Sequence, residues 1–189
     1  MEIEIQNLFS TPISVSDFYS QSIDDEIESC ISSLKFSTND YFDTLNTKTS
    51  GSVITSNVIE EYQLLNLKQH IINNLRIYSQ QVSGCNFNFN IKTSWVTKTP
   101  PGHFIQTHHH QSSMISGVYY HEVPENSGDI YFRSNDKMME TSPFFMRAQD
   151  YYVRSLKGRM ILFPSWIDHG VRSNNSNKDR ISISFNIII

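Results

Sequence analysis

The final segment of the chain, RISISFNIII, constrains the fold more than any other feature, because it alternates between polar and apolar residues from Arg180 to Ile187. One set of alternate positions holds Ile181, Ile183, Phe185 and Ile187, and the other holds Arg180, Ser182, Ser184 and Asn186. Side chains two residues apart share one face of an extended chain, so this period predicts a strand. The polar face of such a strand usually contacts solvent, but in a small barrel it can line a ligand cavity instead.

The same period of two begins at Asn86 and continues in many short segments. They are NFNFNIKTSWV, FIQTH, ISGVYYHEV, DIYFR, DYYVRS, RMILFP and DHGVRS, and polar turn sequences such as ENSG and NNSN separate them. Many short strands joined by polar turns are typical of a sandwich or jelly roll. The sequence therefore predicts a mainly β, cupin-like fold, a double-stranded β-helix with helices packed on one face.

The first half of the chain has a helical period instead. In SIDDEIESCISSLKF the apolar residues recur every three or four positions, and a second stripe runs from Leu64 to Val82 before Gly84 stops it. A length of 189 residues favours one domain. We therefore expect a single domain over 1–189, with a helical support region at 1–85 and a β-helix core at 86–189.

Charge and composition exclude several classes of function. The net charge is −4 and no cluster of Lys and Arg is present, which argues against nucleic acid as the main partner. No apolar run approaches the ~20 residues that cross a bilayer, and the N-terminus does not resemble a signal peptide. Cys30 and Cys85 form no close pair, as is usual in a reducing compartment. These features predict a cytoplasmic protein without a membrane segment, and a homodimer is left open.

Three consecutive histidines, His108, His109 and His110, lie at the end of a predicted strand. In an extended segment His108 and His110 share a face and could bind one ion, while His109 points away. His169, which follows another strand, is the candidate third ligand. Imidazole suits Fe, Zn, Cu and Ni. Taken alone the pattern is weak, since three histidines can also form a polar loop; if the segment is not extended, His109 or His103 could reach the metal.

Polar side chains on two strands could form an anion site in the same barrel. Arg180 and Ser182 share the polar face of the final strand, and the planar guanidinium matches the two oxygens of a carboxylate. Ser116 and Tyr120 share one face of the strand ISGVYYHEV and would supply further hydroxyl donors.

These segments together resemble the 2-oxoglutarate- and Fe(II)-dependent oxygenase superfamily, and within it an uncharacterised bacterial and phage family. The resemblance is carried by LFSTPI, SWVTKTPPG, HHHQSSMISGVYY, GDIYF, GRMILFPSWIDHGV and RISISFN, in this order along the chain. It implies a double-stranded β-helix with Fe(II) bound by His108, His110 and His169 as the catalytic metal ligands. One departure is that most members have Asp or Glu where His110 stands.

The resemblance also implies a cosubstrate and a reaction. Arg180 and Ser182 would bind the distal carboxylate of 2-oxoglutarate, and Tyr120 matches a tyrosine that contacts the same carboxylate in related prolyl hydroxylases. With O₂, the enzyme would hydroxylate an unidentified peptide, amino acid or small metabolite and release succinate and CO₂. The segment 133–149 is either a loop over the substrate or an ordinary exposed loop.

Two other functions fit parts of the sequence. The first is a cupin-type enzyme or small-molecule binder that does not use 2-oxoglutarate, because the spacing from Gly102 to His108 and His110 fits the start of a cupin motif. Against it, the glutamate expected after His110 is absent, Trp166 stands where a glycine is expected, and Arg180 is unexplained. The second is a non-enzymatic jelly-roll structural protein whose histidines are incidental.

Overall fold

The computed structural model describes residues 4, 10–38, 48–50, 57–134 and 150–189, with only the backbone described at 37–38 and 48–50. Its helices are α1 Gln21–Ser33, α2 Val58–Glu61 and α3 Leu65–Ser83. Its strands are β1 Ser14–Asp17, β2 Phe36–Thr38, β3 Lys48–Ser50, β4 Asn90–Thr99, β5 Ile105–His108, β6 Ile115–Glu122, β7 Ile130–Arg133, β8 Asp150–Val153, β9 Arg159–Pro164, β10 His169–Val171 and β11 Arg180–Ile188.

Two antiparallel sheets pack face to face. In the described residues the major sheet has the strand order β1-β9-β6-β11-β4-β3-β2, and the minor sheet has the order β5-β10-β7-β8. Apolar residues from both sheets form one core between them, including Val118 and Ile161 from the major sheet and Ile130, Phe132 and Val153 from the minor sheet. The predicted jelly roll with N-terminal helices is confirmed.

The helices cover the outer face of the major sheet. Ile27 of α1 and Leu67, Ile71 and Leu75 of α3 are fully buried there against apolar side chains of the sheet, among them Phe185. The apolar residues that recur every three or four positions in the first half of the chain form the helical side of this second core. The final strand is thus buried on both faces, with its apolar residues toward the helices.

Some local predictions differ from the structure. The apolar stripe predicted to run through Val82 ends one turn earlier, because Val82 is 51% exposed. Gly84 ends α3 in the left-handed conformation (φ 68°), as its position predicted. β4 begins at Asn90, so Phe87 lies outside the strand and is 39% exposed. The short strands β1, β2 and β3 extend the major sheet within the region that was expected to be helical.

His121 joins α1 to the outer face of β6 and lies outside the cavity between the sheets. Its Nδ1 is 3.0 Å from Asp24 Oδ1, and its Nε2 is 2.8 Å from Glu28 Oε1. Lys157 Nζ is 2.8 Å from the other oxygen of Asp24. Both ring nitrogens of His121 are therefore occupied by carboxylates, and its role is structural.

The N-terminus of α3 is capped by a carboxylate from α1. Glu26 accepts the backbone N–H of Asn66 at 2.9 Å and that of Leu67 at 3.2 Å. The N-cap residue of α3, Leu64, makes no side-chain cap hydrogen bond. Because the first N–H groups of a helix have no partner within it, Glu26 satisfies donors that would otherwise be left to solvent.

We expect Glu26→Ala to lower the free energy of unfolding by about 1 kcal/mol, the usual cost of losing a helix cap. Glu26→Gln keeps one acceptor oxygen and should lose less. Urea unfolding of the metal-free protein measures both. Asp25→Ala is the control, because Asp25 accepts a hydrogen bond from the exposed Gln21 of its own helix. If Asp25→Ala and Glu26→Ala lower the free energy of unfolding equally, the hydrogen bonds from α3 to Glu26 contribute no more stability than an exposed contact.

None of the helices in the described parts of the chain has the length and apolar content of a membrane span. The cytoplasmic location stays a prediction.

Candidate active site

A cavity of about 360 Å³ lies between the two sheets. On the major sheet it is lined by the polar face of β11 and by residues of β4 and β6. Arg180, at 1% exposure, and Ser182, at 6%, face this cavity and not the solvent. The sequence left open whether the polar face of β11 contacts solvent or lines a cavity. The structure shows that it lines the cavity.

The cavity brings His108, His110 and His169 together. Antiparallel pairing of β5 and β10 sets His108 directly opposite His169. Their ring centroids are 4.4 Å apart, and the ring of His110 lies 5.0 Å from His108 and 5.1 Å from His169. One ring nitrogen from each lies within 4.8 Å of the others, so the three could hold a metal ion.

Backbone carbonyls orient two of the three rings. His108 Nδ1 lies 2.8 Å from the carbonyl oxygen of Gln106, and His169 Nδ1 lies 3.0 Å from that of Ile167. A carbonyl only accepts, so the proton of each neutral ring is on Nδ1 and the lone pair is on Nε2. This arrangement, in which one ring nitrogen donates to a carbonyl and the other is available, is typical of metal-binding histidines.

Burial keeps the three imidazoles neutral. It lowers the pKa of His108 from its ordinary value. Burial, followed by the neighbouring His108, lowers the pKa of His110 to about 4. The same two causes hold the pKa of His169 well below its ordinary value. Neutral imidazole is the form that binds a metal ion, so the cluster needs no deprotonation near neutral pH.

His110 lies just beyond the end of β5, and its main chain is fixed by another part of the fold. Its backbone N–H donates to the carbonyl oxygen of Ser165 at 2.9 Å, in the turn after β9. Its ring lies 5.7 Å from the ring of Trp95. The sequence predicts an extended segment up to His110, but the strand stops at His108, and the hydrogen bond to Ser165 places His110.

His109 faces a different partner. Its Nδ1 lies 3.0 Å from Asp168 Oδ1, and its side chain is 47% exposed. Asp168 precedes His169 in the chain but directs its carboxylate to His109. His109 stands outside the group of three histidines that the structure brings together. His103 is also outside that group.

Arg180 is a buried cation at the start of β11, and part of it has no partner. Nη1 donates to the carbonyl oxygens of Ser127 at 2.7 Å and Gly128 at 3.0 Å, and Nη2 donates to Thr99 Oγ1 at 3.0 Å. The buried Nε has no hydrogen-bond partner, and Arg180 takes part in no ion pair among the described residues. Burial lowers the pKa of Arg180. A buried, unpaired guanidinium is costly, so this position favours an anion in the cavity.

The other predicted cosubstrate residues divide into two groups. Ser182 and Tyr120 both line the cavity with Arg180, and they lie opposite each other in the β11–β6 register. Burial raises the pKa of Tyr120, so its hydroxyl stays a donor. Ser116 does not line the cavity, and its hydroxyl donates to Asn186 Oδ1 at 2.7 Å. Its predicted contact with a cosubstrate is untested, and its hydrogen bond points to another role.

Sequence reasoning missed the contribution of β4. Trp95 and Thr97 line the cavity, and Thr99 binds Arg180. They pair with Ser184, Ser182 and Arg180 across the β11–β4 register. The sequence predicts a strand here, but Trp95 and Val96 are adjacent apolar residues, so the polar and apolar positions do not show which face lines the cavity. The pairing with β11 decides it.

The proposed substrate loop, 133–149, lies outside the described residues except for its first two positions. Arg133 pairs there with Asp150 at 2.9 Å.

Residues 93–186 match the sequence profile of a family described as "Putative 2OG-Fe(II) oxygenase". This span includes the histidine cluster and Arg180. The chain belongs to the 2OG-Fe(II) oxygenases. The family makes the protein an oxidoreductase, and its description names Fe(II) and 2-oxoglutarate, for which the three-histidine cluster offers a metal site. No curated protein matches the chain.

Solved structures share the fold of this oxygenase at low sequence identity. A 2OG-Fe(II) oxygenase family oxidoreductase from Burkholderia pseudomallei has a TM-score of 0.67 at 12% identity, covering 93% of this chain and 83% of that one. HygX from Streptomyces hygroscopicus, with nickel and 2-oxoglutarate bound, has a TM-score of 0.66 at 11% identity, covering 94% and 82%. A prolyl-4-hydroxylase from Pseudomonas putida has a TM-score of 0.56 at 16% identity, covering 95% and 94%.

Proposed function

We propose that this oxygenase hydroxylates a peptide, an amino acid or a small metabolite, using O₂ and 2-oxoglutarate and releasing succinate and CO₂. One observation carries the proposal. A single cavity holds a cluster of three imidazoles and a buried Arg180 whose Nε has no partner in the described residues. The first is a donor set for a metal ion, and the second is a site for a carboxylate.

We assign the metal to His108, His110 and His169, which are also the catalytic residues because they would hold the reacting centre. Three neutral imidazoles suit Fe(II), although they also suit Zn, Cu and Ni, and the family favours iron. The usual Fe(II) triad contains one carboxylate. With His110 in its place, the ligands leave both positive charges of the metal uncompensated, which strengthens the attraction for an anionic cosubstrate.

We assign the distal carboxylate of 2-oxoglutarate to Arg180. Of its five N–H groups, two donate to Ser127 and Gly128 and one to Thr99. With respect to the described residues, one N–H on Nη2 and the N–H of Nε have no acceptor, and two such neighbouring donors bind a carboxylate in a bidentate manner. The hydroxyls of Ser182 and Tyr120, which line the same cavity, add donors at that end.

Bound Fe(II) and 2-oxoglutarate supply the oxidation of a C–H bond by O₂, and the protein supplies position and exclusion of water. The histidines would hold the metal, and Arg180 would anchor the distal carboxylate of 2-oxoglutarate in the same cavity. The walls between them are mainly apolar or hydroxyl-bearing, with Val118, Ile130 and Phe163 among them. Such walls keep the reacting centre away from bulk water.

The class of substrate rests on analogy. A Pseudomonas putida prolyl-4-hydroxylase shares the fold, which makes a peptide or amino acid a reasonable first choice, but one fold serves many substrates. We also propose that the whole chain acts as one domain, in which the helices of the 1–85 region support the core at 86–189 by covering the outer face of the major sheet.

The test is anaerobic addition of Fe(II) and 2-oxoglutarate to the purified protein. We expect the weak visible charge-transfer band that bidentate 2-oxoglutarate gives on Fe(II), and we expect no band when succinate replaces 2-oxoglutarate. Protein that carries iron but shows no band would favour the cupin alternative. Protein that binds no metal would favour a structural role. A screen for substrate-stimulated succinate formation would then identify the substrate.

A further inference from the structure

The turn at 164–167 contacts two of the three histidines through its backbone. The carbonyl oxygen of Ser165 accepts the N–H of His110 at 2.9 Å, and the carbonyl oxygen of Ile167 lies 3.0 Å from His169 Nδ1. The turn is closed by a hydrogen bond from the Ile167 N–H to the Pro164 oxygen at 3.1 Å. A displacement of this turn would therefore move the main chain of His110 and rotate the ring of His169 together.

A chain of buried side-chain hydrogen bonds ties this turn to the major sheet. Ser165 Oγ lies 2.8 Å from Ser116 Oγ on β6, and Ser116 Oγ donates to Asn186 Oδ1 on β11 at 2.7 Å. Asn186 Nδ2 donates to Thr93 Oγ1 on β4 at 3.1 Å. We call these four residues the serine–asparagine chain. Its first three members are 0%, 1% and 8% exposed.

The number of hydroxyl protons determines which residue donates at each link of the serine–asparagine chain. Ser116 has a single hydroxyl proton and donates it to Asn186, so Ser165 must donate to Ser116. Each link then leads from the turn into the centre of the sheet. Removal of one hydroxyl would leave a buried partner unsatisfied, and the turn would be free to relax.

We propose that Ser165, Ser116 and Asn186 are positioning residues that fix the metal-binding geometry of His110 and His169 through the 164–167 turn. The inference rests on the proposed function, because it takes the three histidines to be the metal ligands. It gives Ser116 a different role from the one expected from the sequence: its hydroxyl serves the turn and not the cosubstrate. Groups that hydrogen-bond a metal ligand directly change metal affinity by about 10- to 100-fold, and for residues that act through the turn we expect the lower end of that range.

The outer face of the same sheet offers a matched control. Ser94 on β4 is 0% exposed, donates to Asn57 Oδ1 at 2.6 Å and accepts the N–H of Ile59 at 3.0 Å. It is a buried serine with two hydrogen bonds, like Ser116, but it faces the helices. Ser94→Ala should therefore lose stability without changing the metal site.

The experiment titrates Co(II) into the purified, metal-free protein and records its visible spectrum. We expect Ser116→Ala and Ser165→Ala each to bind Co(II) about tenfold more weakly, with an altered spectrum. The double variant should be no weaker than the weaker single variant, because both remove the same link. Ser116→Thr, which keeps the hydroxyl, should restore affinity. Ser94→Ala should match the wild type, although thermal unfolding shows a comparable loss of stability.

The outcomes separate this inference from the function on which it rests. Wild-type protein that binds no Co(II) would overturn the metal assignment and the inference together. Wild-type binding with unchanged affinity and spectrum in Ser116→Ala and Ser165→Ala would overturn the inference alone. An equal loss of affinity in Ser94→Ala, or additive losses in the double variant, would also overturn it. If Ser116→Ala does not fold, Ser165→Ala, which changes only the turn's side of the link, decides the question.

Discussion

Alanine at His108, His110 or His169 should remove the bound metal, whereas alanine at His109 should leave it in place. The first three offer ring nitrogens within 4.8 Å of one another inside the cavity. His109 instead contacts Asp168 and is half exposed. Loss of a direct ligand should weaken binding by more than about a hundredfold, since even partners of ligands account for 10- to 100-fold. Metal analysis after anaerobic Fe(II) loading and gel filtration measures the result.

His109→Ala is the internal control for this series, because it removes the same side chain from the same segment. His103→Ala is a second control, since the sequence left His103 open as a ligand. Circular dichroism should show that every variant is folded. A folded His109→Ala or His103→Ala protein without metal would refute the assignment, and so would full iron content in a variant of any of the three proposed ligands.

The three histidines of the cluster could be predicted from the sequence, but the contact that places His110 could not. The pattern His-x-His and the distal His169 were visible in the sequence, and the resemblance to the oxygenases gave them a shared function. The reason for choosing His108 and His110 over His109 was strand geometry, which covers only part of the segment. β5 ends at His108, and the carbonyl of Ser165 places His110. That contact joins positions far apart in the chain, so no local pattern could predict it.

The facing and pairing of the strands were also only partly predictable from the sequence. The alternation in the final strand predicted that its two faces differ in polarity. In the structure the apolar face packs against the helices, and the polar face lines the cavity between the sheets. The polar face could not be assigned to the interior from the period alone, since a solvent-facing strand has the same pattern. β1 was missed for a related reason: its sequence SVSD is a short edge strand with exposed residues, and its pairing with β9 is its main constraint.

Arg180→Ala should weaken 2-oxoglutarate binding far more than metal binding. The guanidinium lies in the same cavity as the histidines and is 1% exposed, and its Nε has no hydrogen-bond partner in the part of the chain that the structure describes. A charge-assisted hydrogen bond to a carboxylate contributes about 1.5–3 kcal/mol, on the order of tenfold to a hundredfold in affinity. Calorimetry with 2-oxoglutarate, on protein loaded anaerobically with Fe(II), measures the change, and iron content in the same samples shows whether the metal site is intact.

Two variants separate the carboxylate contact from loss of charge and from general destabilisation. Arg180→Lys keeps a cation but not the planar pair of donors, so we expect its affinity for 2-oxoglutarate to fall between those of the wild type and Arg180→Ala. Arg159→Ala removes another arginine, one whose Nε and Nη2 already bind Asp17, both at 2.6 Å. Because that fork is occupied, Arg159→Ala should bind 2-oxoglutarate as the wild type does. Equal affinity in Arg180→Ala and the wild type would mean that the cosubstrate carboxylate binds elsewhere or that the protein uses none.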